Sequence, residues 1–176
     1  IVAVYDQNNN VINQLGQKVT SKYKYELVEK IIIKLPKHFK NKSYMILDGK
    51  FVCLDPYIGT KYHLLSNVKY SKLEITKGAY SNFKNSNKKY LNTGVVKNNK
   101  ISQFKNFIKH GSKYLPILNK AKYIGSFYVT RAIKLDKEDT DERLNEITIN
   151  GDKIISIFSG KWNTCVGVAK KIEKLI

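Results

Sequence analysis

Ile147-Thr148-Ile149-Asn150-Gly151-Asp152-Lys153-Ile154-Ile155-Ser156-Ile157-Phe158 decides the class of this fold. Two β-branched runs flank Asn-Gly, the pair that most readily takes positive φ at both centres of a type I′ turn, so strand, turn and strand are predicted. Ser159-Gly160-Lys161-Trp162-Asn163-Thr164 follows, then an amphipathic helix with Val168, Ala169, Ile172 and Leu175 on one face and Asn163 or Thr164 as its cap. The same hairpin grammar recurs upstream in Tyr44–Leu47, Asp48-Gly49 and Phe51–Leu54. Tyr62–Val68 reads as a further strand. Tyr23–Leu35 alternates Tyr23, Tyr25 and Leu27 with charged neighbours, then runs through Ile31–Ile33 to a stop at Pro36. Lys122–Leu135 alternates again, through Gly125. Phe104, Phe107, Ile108 and Leu115 form a helical stripe closed by Pro116, and the polar stretch Ser71–Asn99 is expected to be long loops with one short helix. Hairpins dominate and regular β-α alternation is absent. The class is α+β, a largely antiparallel mixed sheet flanked by helices.

A length of 176 residues with 42% apolar content suits one domain, or one and a half small ones, with a packed core. No apolar run approaches the ~20 residues a bilayer span requires. Ile1-Val2-Ala3-Val4 has no basic lead and soon meets Asp6 and Asn8-Asn9-Asn10, unlike a signal peptide. With no initiator Met, the chain is expected to be a fragment of something longer. Cys53 and Cys165 lack C-x-x-C spacing, and His38, His63 and His110 form no H-x-x-H or H-E-x-x-H pattern. Neither a disulfide framework nor a metal site is expected, and the cytoplasm is the default compartment.

A net charge of +18 is, taken alone, the footprint of a nucleic-acid binder. Yet all but two of the 32 basic residues are lysine. Proteins that read nucleic acid lean on arginine, whose planar fork makes two-point contacts. Excess Asn, Ile and Tyr accompany the lysine, the composition of an AT-rich genome, so nucleic acid is not the expected partner. The stretch Lys61–Lys113 still sets twelve lysines against one acid, Glu74, interleaved with Tyr62, Tyr70, Tyr80, Phe83 and Tyr90. That leaves an alternative: a basic, non-enzymatic module for nucleic acid or another polyanion. A purely structural interaction domain is a third reading.

Against so much lysine, Arg131 and Arg143 mark places where a flexible ammonium does not suffice. They either capture a carboxylate or phosphate in two-point fashion, or make structural ion pairs with Asp139, Asp141 or Glu142. The turn at Ser159–Thr164 has its own logic. Gly160 lets the backbone approach a planar or anionic group, the following helix favours negative charge there, and Lys161 adds a point charge.

Ile154-Ile-Ser-Ile-Phe-Ser-Gly-Lys-Trp-Asn-Thr164 resembles the closing motif of FAD-dependent oxidoreductases of the D-amino-acid oxidase superfamily, especially the glycerol-3-phosphate dehydrogenase branch with its Gly-Gly-Lys-Trp/Leu-Thr-Thr. Tyr128-Val-Thr-Arg131 is similar to that family's substrate-facing Gly-x-Arg strand, and Glu142-Arg143 to a second basic position. Asp48-Gly49-Lys-Phe51, Asp55-Pro56-Tyr-Ile-Gly59 and Tyr62-His63-Leu-Leu-Ser66 look like its substrate-domain sheet, and Ile1–Tyr5 with Asn13 like the strand ending its first cofactor-binding portion. The resemblance implies FAD as cofactor, contacted by Ser159, Gly160, Lys161, Trp162, Asn163 and Thr164. It implies a small substrate whose carboxylate or phosphate is held by Arg131 and Arg143. Tyr57 and His63 join Arg131 as candidates on the catalytic side. Residues 1–20 would end the first FAD-binding portion, 21–150 form the substrate domain, and 151–176 return to the FAD domain as strand and helix. The family's Gly-x-Gly-x-x-Gly loop is absent here, which implies an N-terminal FAD-binding part elsewhere in the same protein, and Ser159 stands where the family has its first Gly. Trp162 reads equally well as a core anchor, and the two cysteines as buried small apolar residues.

Overall fold

The computed structural model describes residues 1–47, 51–135, 145–151 and 153–176, with Trp162 described by its backbone alone. The fold is α+β with a mostly antiparallel sheet. Its contacts divide into two compact units, one of residues 1–26, 75–82 and 130–176, the other of 27–74 and 83–129. Residues 1–20 and 151–176 therefore share the first unit, together with 130–150.

In the second unit, the strands are β1 (Tyr23–Lys34), β2 (Tyr44–Ile46), β3 (Val52–Pro56), β4 (His63–Asn67), β5 (Lys72–Gly78) and β6 (Lys122–Lys134). β1, β5 and β6 also each contribute a segment to the first unit. The order is β2-β3-β4-β1-β5, with β6 also paired to β1. β2, β3 and β4 are antiparallel neighbours, as the hairpin pattern requires, although the Asp48-Gly49 turn lies outside the described residues. Register sets Leu54 opposite Leu65 and Leu65 opposite Ile31, so one apolar row crosses three strands. The short α2 (Asn85–Lys88) lies in the polar stretch, and α3 (Phe104–Gly111) presents Phe107 to the core. Ile31, Ile33, Leu35, Val52, Leu54, Leu65, Phe107 and Leu118 form that core. Each such burial contributes about 1.5–3 kcal/mol.

Two expectations fail here. β5 falls inside Ser71–Asn99, which reads locally as loop. It exists because β1 offers it an edge, with the Glu29 amide donating to the Ser71 carbonyl at 2.8 Å. And β1 is not one-sided. Its charged residues Glu26 and Glu29, on opposite faces of the strand, are both fully buried.

The first unit is built on α1 (Asn8–Gln14), the hairpin β7 (Glu146–Asn150) and β8 (Ile154–Phe158), and α4 (Cys165–Glu173). The hairpin is present, but its turn is not type I′. Asn150 pairs with Ile154, leaving a three-residue connection in which Gly151 has φ +59°. Asn150 is held in the ladder because its side-chain amide donates to Ser156 Oγ at 2.9 Å. Ile1–Tyr5 does not form a full strand either. Only Val2 pairs, in a parallel bridge beside β8 with two 2.8 Å hydrogen bonds, before Tyr5 begins a turn of 3₁₀ helix. α4 buries Val168 and Ile172 against Ile155, while Ala169 and Leu175 of the expected face are exposed, as are Cys165 and Val166. Two buried asparagines knit this unit together. Asn8 accepts from the Val4 amide and donates to the Ile157 carbonyl, and Asn9 donates to the carbonyls of Ser21 and Ala79.

Candidate functional site

The turn that leaves β8 is closed on itself. The hydroxyls of Ser159 and Thr164 lie 3.1 Å apart. Both reach the Lys161 carbonyl oxygen (2.9 and 2.7 Å) and Asn145 Oδ1 (2.7 and 2.9 Å), so two hydroxyl protons serve two acceptors. Thr164 is the residue before α4, as expected for a cap, yet its hydroxyl makes no capping bond because the turn has claimed it. The first amides of α4 are left without a side-chain cap, beside exposed Lys161 and Asn163 and half-buried Gly160. Such a helix start favours negative charge.

Arg131 lies on β6. Its Nε and Nη2 both donate to Oε2 of fully buried Glu26, at 2.8 and 2.7 Å. Among the described residues its structural partner is Glu26; Asp139, Asp141 and Glu142, and Arg143 with them, lie outside the described residues. One edge of the guanidinium is spent on this pair. Nη1 has no partner among the described residues, and the side chain keeps 26% of its surface exposed. Arg131 is an anchored cation with one open end.

Tyr5 connects the strand ends that carry these two features. Its ring stacks on Phe158 at 5.5 Å, and its hydroxyl exchanges two 3.0 Å hydrogen bonds with the backbone of Ala132. Phe158 precedes Ser159 and Ala132 follows Arg131, so the turn and the arginine each sit one residue from a group that Tyr5 holds. The Phe158 ring also stacks on Tyr23 at 4.5 Å. Burial pushes Tyr23 up to about 12, with the Glu146 charge adding to it against a bond from Ser21. In the same unit an open hollow of about 350 Å³ is lined by Ser21, Lys22, Lys134 and Glu146, and neither Arg131 nor the turn lines it.

His63 and Tyr57 belong to the second unit. Tyr57 packs edge-on against Phe127 at 5.8 Å. His63 is buried on the core face of β4, with Nε2 3.0 Å from the Phe39 carbonyl oxygen. A carbonyl only accepts, so Nε2 carries the proton. Nδ1 is buried without a partner among the described residues.

Composition gives no warning of a fully buried carboxylate, Glu29, in the same unit. It accepts from the Gln103 amide (2.8 Å), Ser126 Oγ (2.5 Å) and Tyr128 Oη (3.3 Å), and burial together with this charge drives the Tyr128 hydroxyl far up. The signal available was an acid lying between Leu27-Val28 and the β-branched run Ile31–Ile33 in a chain poor in acids. Among the described residues no group of three or more His, Cys, Asp or Glu could hold a metal ion, and no helix is long and apolar enough to cross a membrane. Cys53 is a half-buried free thiol. Cys165, the first residue of α4, is exposed, contrary to its expected burial. No protein-family model, curated protein or solved structure significantly matches this chain.

Proposed function

We propose that this chain is the substrate-binding and flavin-contacting part of an FAD-dependent oxidoreductase resembling the D-amino-acid oxidase superfamily, acting on a small amine, hydroxy acid or polyol derivative that bears a carboxylate or phosphate. The observation that carries this reading is the Tyr5 link, which ties the Ser-Gly-Lys turn and the open-ended Arg131 to one packed aromatic group. A self-bonded turn with an uncapped helix behind it suits a planar, electron-accepting ring that gains negative charge. When bound, FAD would supply the hydride acceptor. The chain's own residues bind and orient: Arg131 grips the substrate anion through its free end, and Lys161 with the α4 amides favours negative charge opposite. A dinucleotide-binding loop would come from an N-terminal part of the same protein. The uncovered apolar side chains Ile149 and Val166, 58% and 63% exposed, fit a hairpin and helix that pack on further polypeptide. A cytoplasmic, reducing setting goes with two free thiols.

The test is the protein expressed from its own gene. It should be yellow with bound FAD. Arg131→Lys, which keeps a cation on Glu26 and shortens the fork, should raise KM for anionic substrates at unchanged flavin content. A colourless, flavin-free protein overturns the proposal.

The polyanion alternative meets a specific obstacle. Three of the five aromatic rings of the lysine-rich stretch are already engaged: Lys61, Lys69 and Lys89 sit over the rings of the tyrosines that follow them at 5.9, 5.0 and 5.1 Å, and Tyr90 packs on Tyr128, while Phe83 is buried. Bases would have few open faces to stack on. A steep log–log salt dependence of oligonucleotide binding would restore that alternative.

A further inference from the structure

Where β1 ends and β4 begins, the second unit encloses a cavity of about 340 Å³, within the range that takes a small ligand. Its apolar lining is Leu35 and Pro36. Four lysines complete the wall: Lys34 from β1, Lys37 from the short 3₁₀ segment after it, Lys40 just past that segment, and Lys61 from the approach to β4. No acid lines it. The seventh lining residue is His63, 2% exposed, whose Nε2–H is committed to Phe39 and whose buried Nδ1 finds no partner among the described residues. A buried acceptor left unmatched among four cations is an unusual expense for a structural site, since native proteins pair almost all such atoms. Four exposed lysines around the opening favour an anion. Nδ1, with its proton on the other nitrogen, requires an O–H from the ligand. Leu35 and Pro36 require a short apolar body.

We propose that this cavity is a binding site for a small phosphomonoester. Its phosphate carries about −1.5 to −2 charge near neutral pH, which answers the lysines. Its monoprotonated form, or a hydroxyl on the ester, donates to His63 Nδ1. The alcohol-derived part rests on Leu35 and Pro36. Lysine rather than arginine fits this group, because several point charges around a tetrahedral anion need no planar fork. The proposal is independent of the flavin reading, and its test needs no flavin.

The full chain, ¹⁵N-labelled, is titrated with phenyl phosphate at fixed ionic strength while the imidazole nitrogens of His38, His63 and His110 are followed. Saturable binding is expected, with His63 Nδ1 moving and the other two histidines still. Lys37→Gln with Lys40→Gln, both exposed positions outside the core, should weaken binding about tenfold, equivalent to about 1.4 kcal/mol, without changing the melting temperature. Inorganic phosphate should bind more weakly and phenol not measurably. Unsaturable shifts spread over the lysines, an unmoved His63, undiminished binding by the double variant, or phenol binding as well as its phosphate would each overturn the assignment. His63→Gln is a supporting variant only, since its burial makes misfolding an ambiguous result.

Discussion

Truncating Arg131 would strand the Glu26 carboxylate. Glu26 has no exposed surface, and its Oε2 accepts both guanidinium bonds. Lys24 Nζ, 3.8 Å from Oε1, offers partial relief. Breaking a buried pair from one side costs about 3–5 kcal/mol, and with Lys24 present Arg131→Ala should fall near 3. Urea unfolding measures it. Adding Glu26→Gln should return most of the loss, because the uncompensated charge is then gone. An Arg131→Ala protein as stable as its parent would mean that the pair is incidental. A second expectation at this scale concerns pH. Tyr23 is raised from 10 to about 12, and Tyr25 and Tyr128 higher still, in each case chiefly by burial. The folded chain thus holds these protons to higher pH than the unfolded chain does. Their contribution is intact below pH 10 and is lost as pH rises through 12 and beyond, at roughly 1.4 kcal/mol per pH unit for each group. Tyrosinate absorbance should therefore appear in two stages, exposed rings titrating normally and these three only together with loss of circular dichroism. Complete titration in one stage before unfolding would contradict it.

Elements whose apolar pattern is local were legible in the sequence: β1, β6, the β2–β3 pair and the β7–β8 hairpin lie within a residue or two of where alternation and turn chemistry put them, whereas α3 starts where expected but ends at Gly111, four residues short of Leu115. What depends on a distant partner was not. β5 is polar and half-exposed, and it is a strand only because β1 hydrogen-bonds it. The Ser159–Thr164 turn is legible as a turn, yet the acceptor that closes it is Asn145, 14 residues upstream. Arg131 is legible as exceptional, yet its carboxylate stands 105 residues away on β1. Gly125 shows the same division. It reads as a tolerated glycine inside β6, whereas the structure needs it bare: a Cβ there would lie 2.5 Å from Val95 Cγ1 and 3.2 Å from the Val96 carbonyl oxygen. Its neighbour Ser126 exchanges two 2.9 Å backbone bonds with Val96 and presents Oγ to Glu29. Gly125→Ala should push Val95 and Val96 away and cost about 1–3 kcal/mol as overpacking. Hydrogen exchange should show the loss first at the Val96 and Ser126 amides. Unchanged protection there would show that the segment yields freely.

At the scale of the whole molecule, a charge of +18 on 176 residues acts either on a partner or on the chain itself. Among the described residues Lys24, Arg131 and Lys134 pair with carboxylates, but 32 basic residues face only 14 acidic ones. Cations thus exceed the acids that could pair with them by more than two to one, and like charges confined to a compact surface destabilise it through self-repulsion. Screening grows as the Debye length shrinks from about 30 Å at 0.01 M salt to about 8 Å at 0.15 M. Folding should accordingly strengthen with sodium chloride over that interval, seen as a rising thermal midpoint with little change in the unfolding enthalpy. Nearly all of the gain should arrive before 0.15 M, where screening already acts within the spacing of neighbouring lysines. A small multivalent anion should act differently. If it merely screens, its effect follows ionic strength, whereas a built site in the second unit adds a saturable increment governed by concentration over Kd. Phenyl phosphate in 0.15 M salt should therefore still raise the midpoint, and Lys37→Gln with Lys40→Gln should shift that increment to about tenfold higher ligand concentration while leaving the salt response almost untouched. A midpoint that falls with salt would instead identify ion pairing as the dominant electrostatic contribution to this fold.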